Sequence, residues 1–127
     1  MSTSSVTQPQ LVDDGLIVAE AALAAADRIG LPNVVLARVI GRDPSSISRL
    51  RAGDHRLKRN EKSFELAVLF VRLYRSLDAI VGGDKAAASA WLRAENTALR
   101  ARPIDLIQSV TGLTDVIAYL DSRRAPL

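Results

Sequence analysis

The sequence predicts an all-α protein: short helices at the N-terminal side, one long central helix, and a small helical unit at the C-terminal side. Three observations carry this prediction. Apolar residues recur three and four apart along most of the 127 residues, the spacing that gathers side chains on one helix face. No stretch alternates apolar and polar residues as a half-buried strand does. Glycines and prolines fall between the periodic segments, where they punctuate helices. A hydrophobic content of 48% supplies one good core, or two small ones sharing a boundary.

Met1–Gln10 is Ser, Thr, Gln and Pro with little to bury, so a flexible tail is expected over 1–12. The first helix is expected from about Asp13 to Arg28, with Val12, Leu16, Ala19, Leu23 and Ala26 on its apolar face. Asp13 and Asp14 complement the dipole at its start, and Gly30 ends it. Pro32 opens a short helix over Asn33–Ile40, since the missing proline N–H has no partner in a first turn. Gly41 supplies a turn. Asp43 then caps a helix that Pro44 starts, and Gly53 follows it. Ile47 and Leu50 are expected to point inward, leaving Ser45, Ser46, Ser48, Arg49 and Arg51 outward.

Asp54–Lys58 reads as a polar, basic connector. Asn60 is the expected N-cap of a long helix from Glu61 to about Val81. Leu66, Leu69, Phe70, Leu73, Leu77 and Ile80 form one stripe on it, and Phe64, Ala67, Val71 and Tyr74 a second. Only Glu65, Arg72, Arg75, Ser76 and Ala79 remain for a polar face, as in a strut packed on two sides. Gly82-Gly83 stops this helix, and Asp84 caps the next, Lys85 to about Arg93. After a connector, Pro103 opens a short helix to about Ser109. Gly112 is expected to break it and Thr114 to cap a last helix, Asp115–Ser122, before a basic, extended end. The expected division is a tail at 1–12, a unit holding the first helix and the two short ones at 13–62, a connecting helix at 63–83 and a C-terminal unit at 84–127.

Charge is unevenly placed. The chain carries 17 Lys and Arg against 14 Asp and Glu, a net +3. Residues 42–62 alone hold +4, residues 1–41 hold −2 and residues 63–127 hold +1. The basic excess lies on and just after the second short helix, where phosphate contacts would be needed. There are no cysteines and one histidine, His55. Disulfides and cysteine-ligated zinc are excluded, no histidine metal site can form within one chain, and a reducing cytoplasm fits. No catalytic constellation is visible. Asp13 and Asp14 are adjacent and cannot face one cleft from a helix, Ser109 and Thr111 lack a histidine base, and no glycine-rich phosphate loop occurs. An enzyme, a cofactor, a metal, a small-molecule substrate and a membrane span are therefore not expected.

Ala37, Gly41, Ile47, Leu50 and Gly53 stand in an ungapped pattern over Leu31–Gly53 that resembles the phage-repressor (Xre/Cro) helix-turn-helix. The resemblance implies that Asn33 touches a phosphate and that Asp43, Pro44, Ser45 and Arg49 face bases, with Ser46 beside them. Arg49 has the greatest reach in readout, because a guanidinium bonds guanine O6 and N7 together. Arg51, Arg56, Lys58, Arg59 and Lys62 are the further phosphate candidates. An ordinary helical hairpin with solvated arginines is the alternative for this stretch. Val34 and Val35 depart from the motif by placing apolar side chains at outward positions.

Trp91-Leu92, Asn96, Leu99, Pro103, Leu106, Gly112, Val116 and Leu120 are similar in spacing to the C-terminal domain of Xre/MbcA/ParS-type antitoxins. Trp91, Leu106, Val116 and Leu120 would build that unit and not touch its partner. The resemblance implies a type II antitoxin whose partner is a RES-domain toxin, an enzyme that consumes NAD or uses it in ADP-ribosylation. The antitoxin covers the toxin's active site and represses the shared operon through its DNA-binding half. Tyr119, Ser122, Arg123, Arg124 and Leu127 are the toxin-binding candidates. Glycines common in the family after the last helix and between Leu99 and Pro103 are missing here; Arg100-Ala101-Arg102 fills the second place. Two other readings stay open: a stand-alone phage-type repressor whose C-terminal helices only oligomerise it, and a structural adaptor. Pairing of half-sites calls for at least a dimer, through the outer surface of the long helix or the Val34-Val35 patch.

Overall fold

The long helix predicted around residue 70 is the element on which the rest of the chain is assembled. The computed structural model describes the backbone of residues 3–124 and the side chains of residues 14–124. In order it has α1 (Thr3–Arg28), α2 (Asn33–Ile40), α3 (Pro44–Ala52), α4 (Lys62–Ile80), α5 (Lys85–Arg93), α6 (Pro103–Leu106) and α7 (Val110–Arg124). Among the described residues the only extended pairing is an isolated bridge between Asn96 and Ala101, so the all-α class holds.

Helix α4 packs against α1 and α2 on one side and α7 on another, with α5 at its end. Its two apolar stripes explain this. Leu66, Ala67, Phe70, Leu73 and Leu77 are fully inside, while Phe64, Leu69, Val71 and Tyr74 are half-buried against the core. Two positions differ from the expectation. Ser76, assigned to the polar face, is buried beneath α7, where its hydroxyl has partners. Ile80, assigned to the apolar stripe, is exposed. The N-cap is Glu61 in place of Asn60. Its carboxylate turns back to accept from the Lys58 N–H at 3.0 Å and from Arg42 at 3.3 Å, holding the connector against the helix start.

Helix α1 begins at Thr3, although the composition predicts a tail there. Lengthening an existing helix needs no new nucleus, so polar Ser, Thr and Gln residues can follow one that is anchored further on. Its buried face is mostly alanine: Ala19, Ala22, Ala25 and Ala26, with Ile29 at the end. Small side chains let α1 lie close. At Gly15 the approach is tightest, for a Cβ there would stand 1.9 Å from the Leu57 carbonyl oxygen. Leu57 is the one apolar residue of the basic connector and is only 2% exposed. It anchors the loop to the core.

In the C-terminal part Gly112 does not break a helix. It lies buried in the first turn of α7, where a Cβ would come within 2.0 Å of the Leu106 carbonyl oxygen. Glycine is needed there for close approach. Ser109 caps α7, its hydroxyl accepting from the Gly112 N–H at 3.1 Å. Thr114, expected to cap, instead donates back to the Thr111 carbonyl at 2.9 Å. Asp84 does cap α5, accepting from the Ala87 N–H at 3.1 Å. Arg93 at the end of α5 crosses to the N-terminal helices. It donates to the Ile29 carbonyl at 3.2 Å and the Gly30 carbonyl at 2.8 Å, satisfying carbonyls that the end of α1 leaves open. Arg38 on α2 makes a second link, to Gln108 at 3.3 Å.

Candidate functional site

Gly41 and Gly53 both adopt left-handed backbone, at φ 75° and 80°, and close the C-terminal ends of α2 and α3 as the motif requires. Asp43 caps α3. Its Oδ1 accepts from the Ser46 N–H at 3.1 Å and from the hydroxyls of Ser46 and Ser45 at 2.9 Å each. These bonds, led by the Ser46 hydroxyl, hold the Asp43 carboxyl below its ordinary value of 3.8. Ser46 is therefore not among the outward residues: it is 4% exposed and spends its hydroxyl on the cap. Pro44, Ser45, Ser48 and Arg49 do stand exposed on α3. Arg49 reaches back to the Ser46 hydroxyl at 3.3 Å and makes no ion pair among the described residues. Val34 is exposed beside this surface, whereas Val35 is half-buried against the core.

The basic residues divide into held and unpaired. Arg51 bonds Asp27 through both terminal nitrogens, at 3.1 and 2.8 Å, and Asn33 through Nε at 3.0 Å. Arg59 pairs with Asp14, and Lys62 with Glu65 at 3.6 Å. Arg42, which the sequence did not single out, donates to Ser63 at 3.0 Å and ties the turn to α4. Arg56 and Lys58 are exposed and enter no ion pair among the described residues. Together with Arg42, His55 and Arg59 they line a cavity of about 530 Å³ over the Leu57 loop. Asp54 and Glu61 also line it, and the excess of Arg and Lys over these two acids leaves a positive cleft beside α3 that attracts a polyanion. Leu57 is buried and its carbonyl lies against Gly15, which seats this loop on α1; a lone leucine within a basic run was the signal available for it.

The C-terminal candidates are brought together in part. Trp91 and Tyr119 stack with ring centres 6.2 Å apart and planes at 16°. The Arg123 guanidinium lies 6.0 Å from the centre of the Tyr119 ring, within cation–π range. Ser122 donates to the Tyr119 carbonyl at 2.7 Å. Arg123 and Arg124 lie in the last turn of α7, not in an extended end. Arg124 turns away from Tyr119 and donates to Ser76 at 3.0 Å. Leu127 falls outside the described residues. Val116 and Leu120 are buried, and Trp91 and Leu106 half-buried. Asn96 shapes the connector: its side chain accepts from the Leu99 N–H at 2.9 Å and its carbonyl from the Arg100 N–H at 2.7 Å. The turn it closes puts Arg100 at φ 63°, the conformation a glycine adopts at no steric cost.

Among the described residues no group of three or more His, Asp or Glu is placed to hold a metal ion, and no helix is long and apolar enough to cross a membrane. Residues 10–72 match the family model of the antitoxin Xre-like helix-turn-helix domain. Residues 76–125 match that of the antitoxin Xre/MbcA/ParS C-terminal toxin-binding domain. The gap between the two matches falls inside α4. No curated protein matches the chain.

Proposed function

The chain belongs to the Xre/MbcA/ParS-type antitoxins, and from that premise we propose that it neutralises a RES-domain toxin by covering the toxin's active-site cleft and represses its own operon. The observation that carries this reading is the tandem arrangement of a DNA-binding unit and a toxin-binding unit around one shared helix, α4. The chain acts by occupancy and not by catalysis. Its working place is the cytoplasm, where operator and toxin are both within reach.

For DNA, Arg49 is the base-reading side chain, with Asp43, Pro44 and Ser45 bordering it at the start of α3. Arg56 and Lys58 contact phosphates, because they are exposed and enter no ion pair among the described residues. Asn33, Arg51, Arg59 and Lys62 lie at the same border and add to the field. One strong reader per subunit gives modest specificity. Two copies reading half-sites about 34–36 Å apart multiply it. For the toxin, Tyr119, Ser122 and Arg123 at the end of α7 form the contact, with Arg124 and Leu127 at its edge. The stack of Trp91, Tyr119 and Arg123 is a rigid aromatic and cationic patch of the kind that anchors interfaces.

The test is co-expression with a RES-domain protein encoded beside this chain. Growth should be restored and the two proteins should co-purify. Absence of both binding and rescue overturns the toxin assignment. A gel-shift titration on the chain's own promoter, repeated at rising salt, tests the repressor assignment separately: log affinity should fall linearly with log salt.

A further inference from the structure

A groove between α1, α4 and α7 takes no residue from α3, from the 54–59 loop or from the Trp91–Tyr119 patch. Its volume is about 480 Å³, within the range of about 300–1,000 Å³ usual for small-molecule sites. Its two ends differ in chemistry. Val68 and Arg75 line it seven residues apart on α4, which is two helical turns, or about 10 Å. Helices α1 and α4 run the same way, since Gly15 lies against Leu57 and Arg28 bonds Tyr74. Ile17 and Ala21, the early α1 residues of the groove, therefore belong to the Val68 end. That end is apolar and open to solvent, with Ile17 58% exposed and Val68 43%.

The Arg75 end is cationic and already holds one carboxylate. Asp121 on α7 accepts there from Arg72 and, at 3.1 Å, from the buried Ser76 hydroxyl. Arg75 and Arg124 line the same end and enter no ion pair among the described residues. Three guanidinium groups against one carboxylate leave two positive charges unneutralised at the end of an apolar trough.

We infer that this groove binds a small amphiphile, an aliphatic carboxylate. Its chain lies on Val68, Val71 and Ile17, and its carboxylate sits between Arg75 and Arg124. A guanidinium fork matches a planar carboxylate, and the Arg72–Asp121 pair shows the same match beside it. The apolar end supplies affinity through burial, and the cationic end fixes the direction of the chain. An uncharged amphiphile leaves the arginines without their partner, and a cationic one is repelled. The site uses none of the residues assigned to base reading or phosphate contact, so it stands apart from the function proposed above.

An NMR titration of the full chain with decanoate, kept below the concentration at which decanoate self-associates, tests the inference. Decanol and decyltrimethylammonium are the matched neutral and cationic probes. Decanoate should shift the amides of Ile17, Val68, Val71 and Arg75 saturably, and bind roughly tenfold or more tightly than decanol. Arg75→Gln should remove that preference while decanol binding stays as it was. Val68→Asp should weaken both probes. Both positions are at the surface, and unchanged helical circular dichroism checks that the variants fold. No saturable shift at these amides, equal binding of decanoate and decanol, or a preference that survives Arg75→Gln overturns the inference. So does a groove covered by another protein surface, read as Ile17 and Val68 amides that respond to chain concentration and not to decanoate.

Discussion

The guanidinium of Arg51 grips the carboxylate of Asp27 with two hydrogen bonds, of 3.1 and 2.8 Å, joining the end of α3 to the end of α1. Its Nε also holds Asn33 at 3.0 Å. Two residues expected at the phosphate border thus hold each other, and the arginine is partly neutralised. Arg51→Ala should therefore weaken promoter binding less than Arg49→Ala does. The expected loss for Arg49→Ala is about 1–3 kcal/mol with relaxed preference at one base position. Equal losses on a panel of single-base operator variants would contradict this ranking. Asp27→Asn should tighten DNA binding by freeing Arg51.

Arg56 and Lys58 lead to a different signature. A phosphate-binding side chain carries no sequence information, so replacing either by Ala should weaken binding to every sequence alike. The slope of log affinity against log salt should become shallower by about one for each phosphate that is no longer neutralised. A loss confined to one operator sequence would show that the residue reads bases.

Gly15→Ala and Gly112→Ala set two known effects against each other. Alanine is favoured over glycine in a helix by up to about 1 kcal/mol. Against that, the new Cβ would meet backbone oxygens at 1.9 and 2.0 Å, and backbone cannot swing aside. Overpacking of this kind costs about 1–3 kcal/mol or more, so both variants should be destabilised. Thermal melts should show it, and Gly112→Ala should also reduce toxin binding because α6 and α7 part. At Arg100 the sign reverses. Its φ of 63° costs an L-residue about 1–2 kcal/mol, partly offset by the entropy glycine loses on folding. Arg100→Gly should raise stability by about 0.5 kcal/mol and leave partner binding intact.

Acid should loosen α3 first. Asp43 is held below 3.8 chiefly by the Ser46 and Ser45 hydroxyls, and Asp27 below 3.8 chiefly by Arg51. For a carboxyl whose value falls on folding, the stabilisation is complete above the unfolded value and disappears as pH drops through the folded one. Stability from both groups should thus be flat at neutral pH and decline below about pH 3.8. Asn caps helices nearly as well as Asp, so Asp43→Asn should keep α3 at neutral pH and remove this part of the acid sensitivity. A two-dimensional NMR titration of the α3 amides distinguishes the two.

Most helix bounds were legible because periodicity, caps and punctuation agree at them: Pro32 with Gly41, Asp43 with Gly53, Asp84 after Gly83. What stayed hidden depends on contacts between distant segments. A glycine has two meanings, and nothing local to Gly112 distinguishes a helix break from a close approach to the Leu106 carbonyl. Ser46 looks outward by composition, but its place beside the Asp43 cap turns the hydroxyl inward. Ser76 looks like surface until α7 covers it. Leu57 is one apolar residue in a basic run, too little for a periodic signal, and the alanine face it meets at Gly15 lies 42 residues earlier in the chain.

Arg93 has a consequence for how this molecule can be taken apart. It belongs to the segment after Gly83, yet its guanidinium closes the carbonyl end of α1. Meanwhile α7 shields one flank of α4. A fragment cut at Gly83 would not be a repressor without its inhibitor half. It would be a scaffold with a bare helix end and a stripped flank, and loss of operator binding in it would measure unfolding. Single changes such as Arg93→Ala, compared with Arg49→Ala, separate architecture from readout where a truncation would merge them.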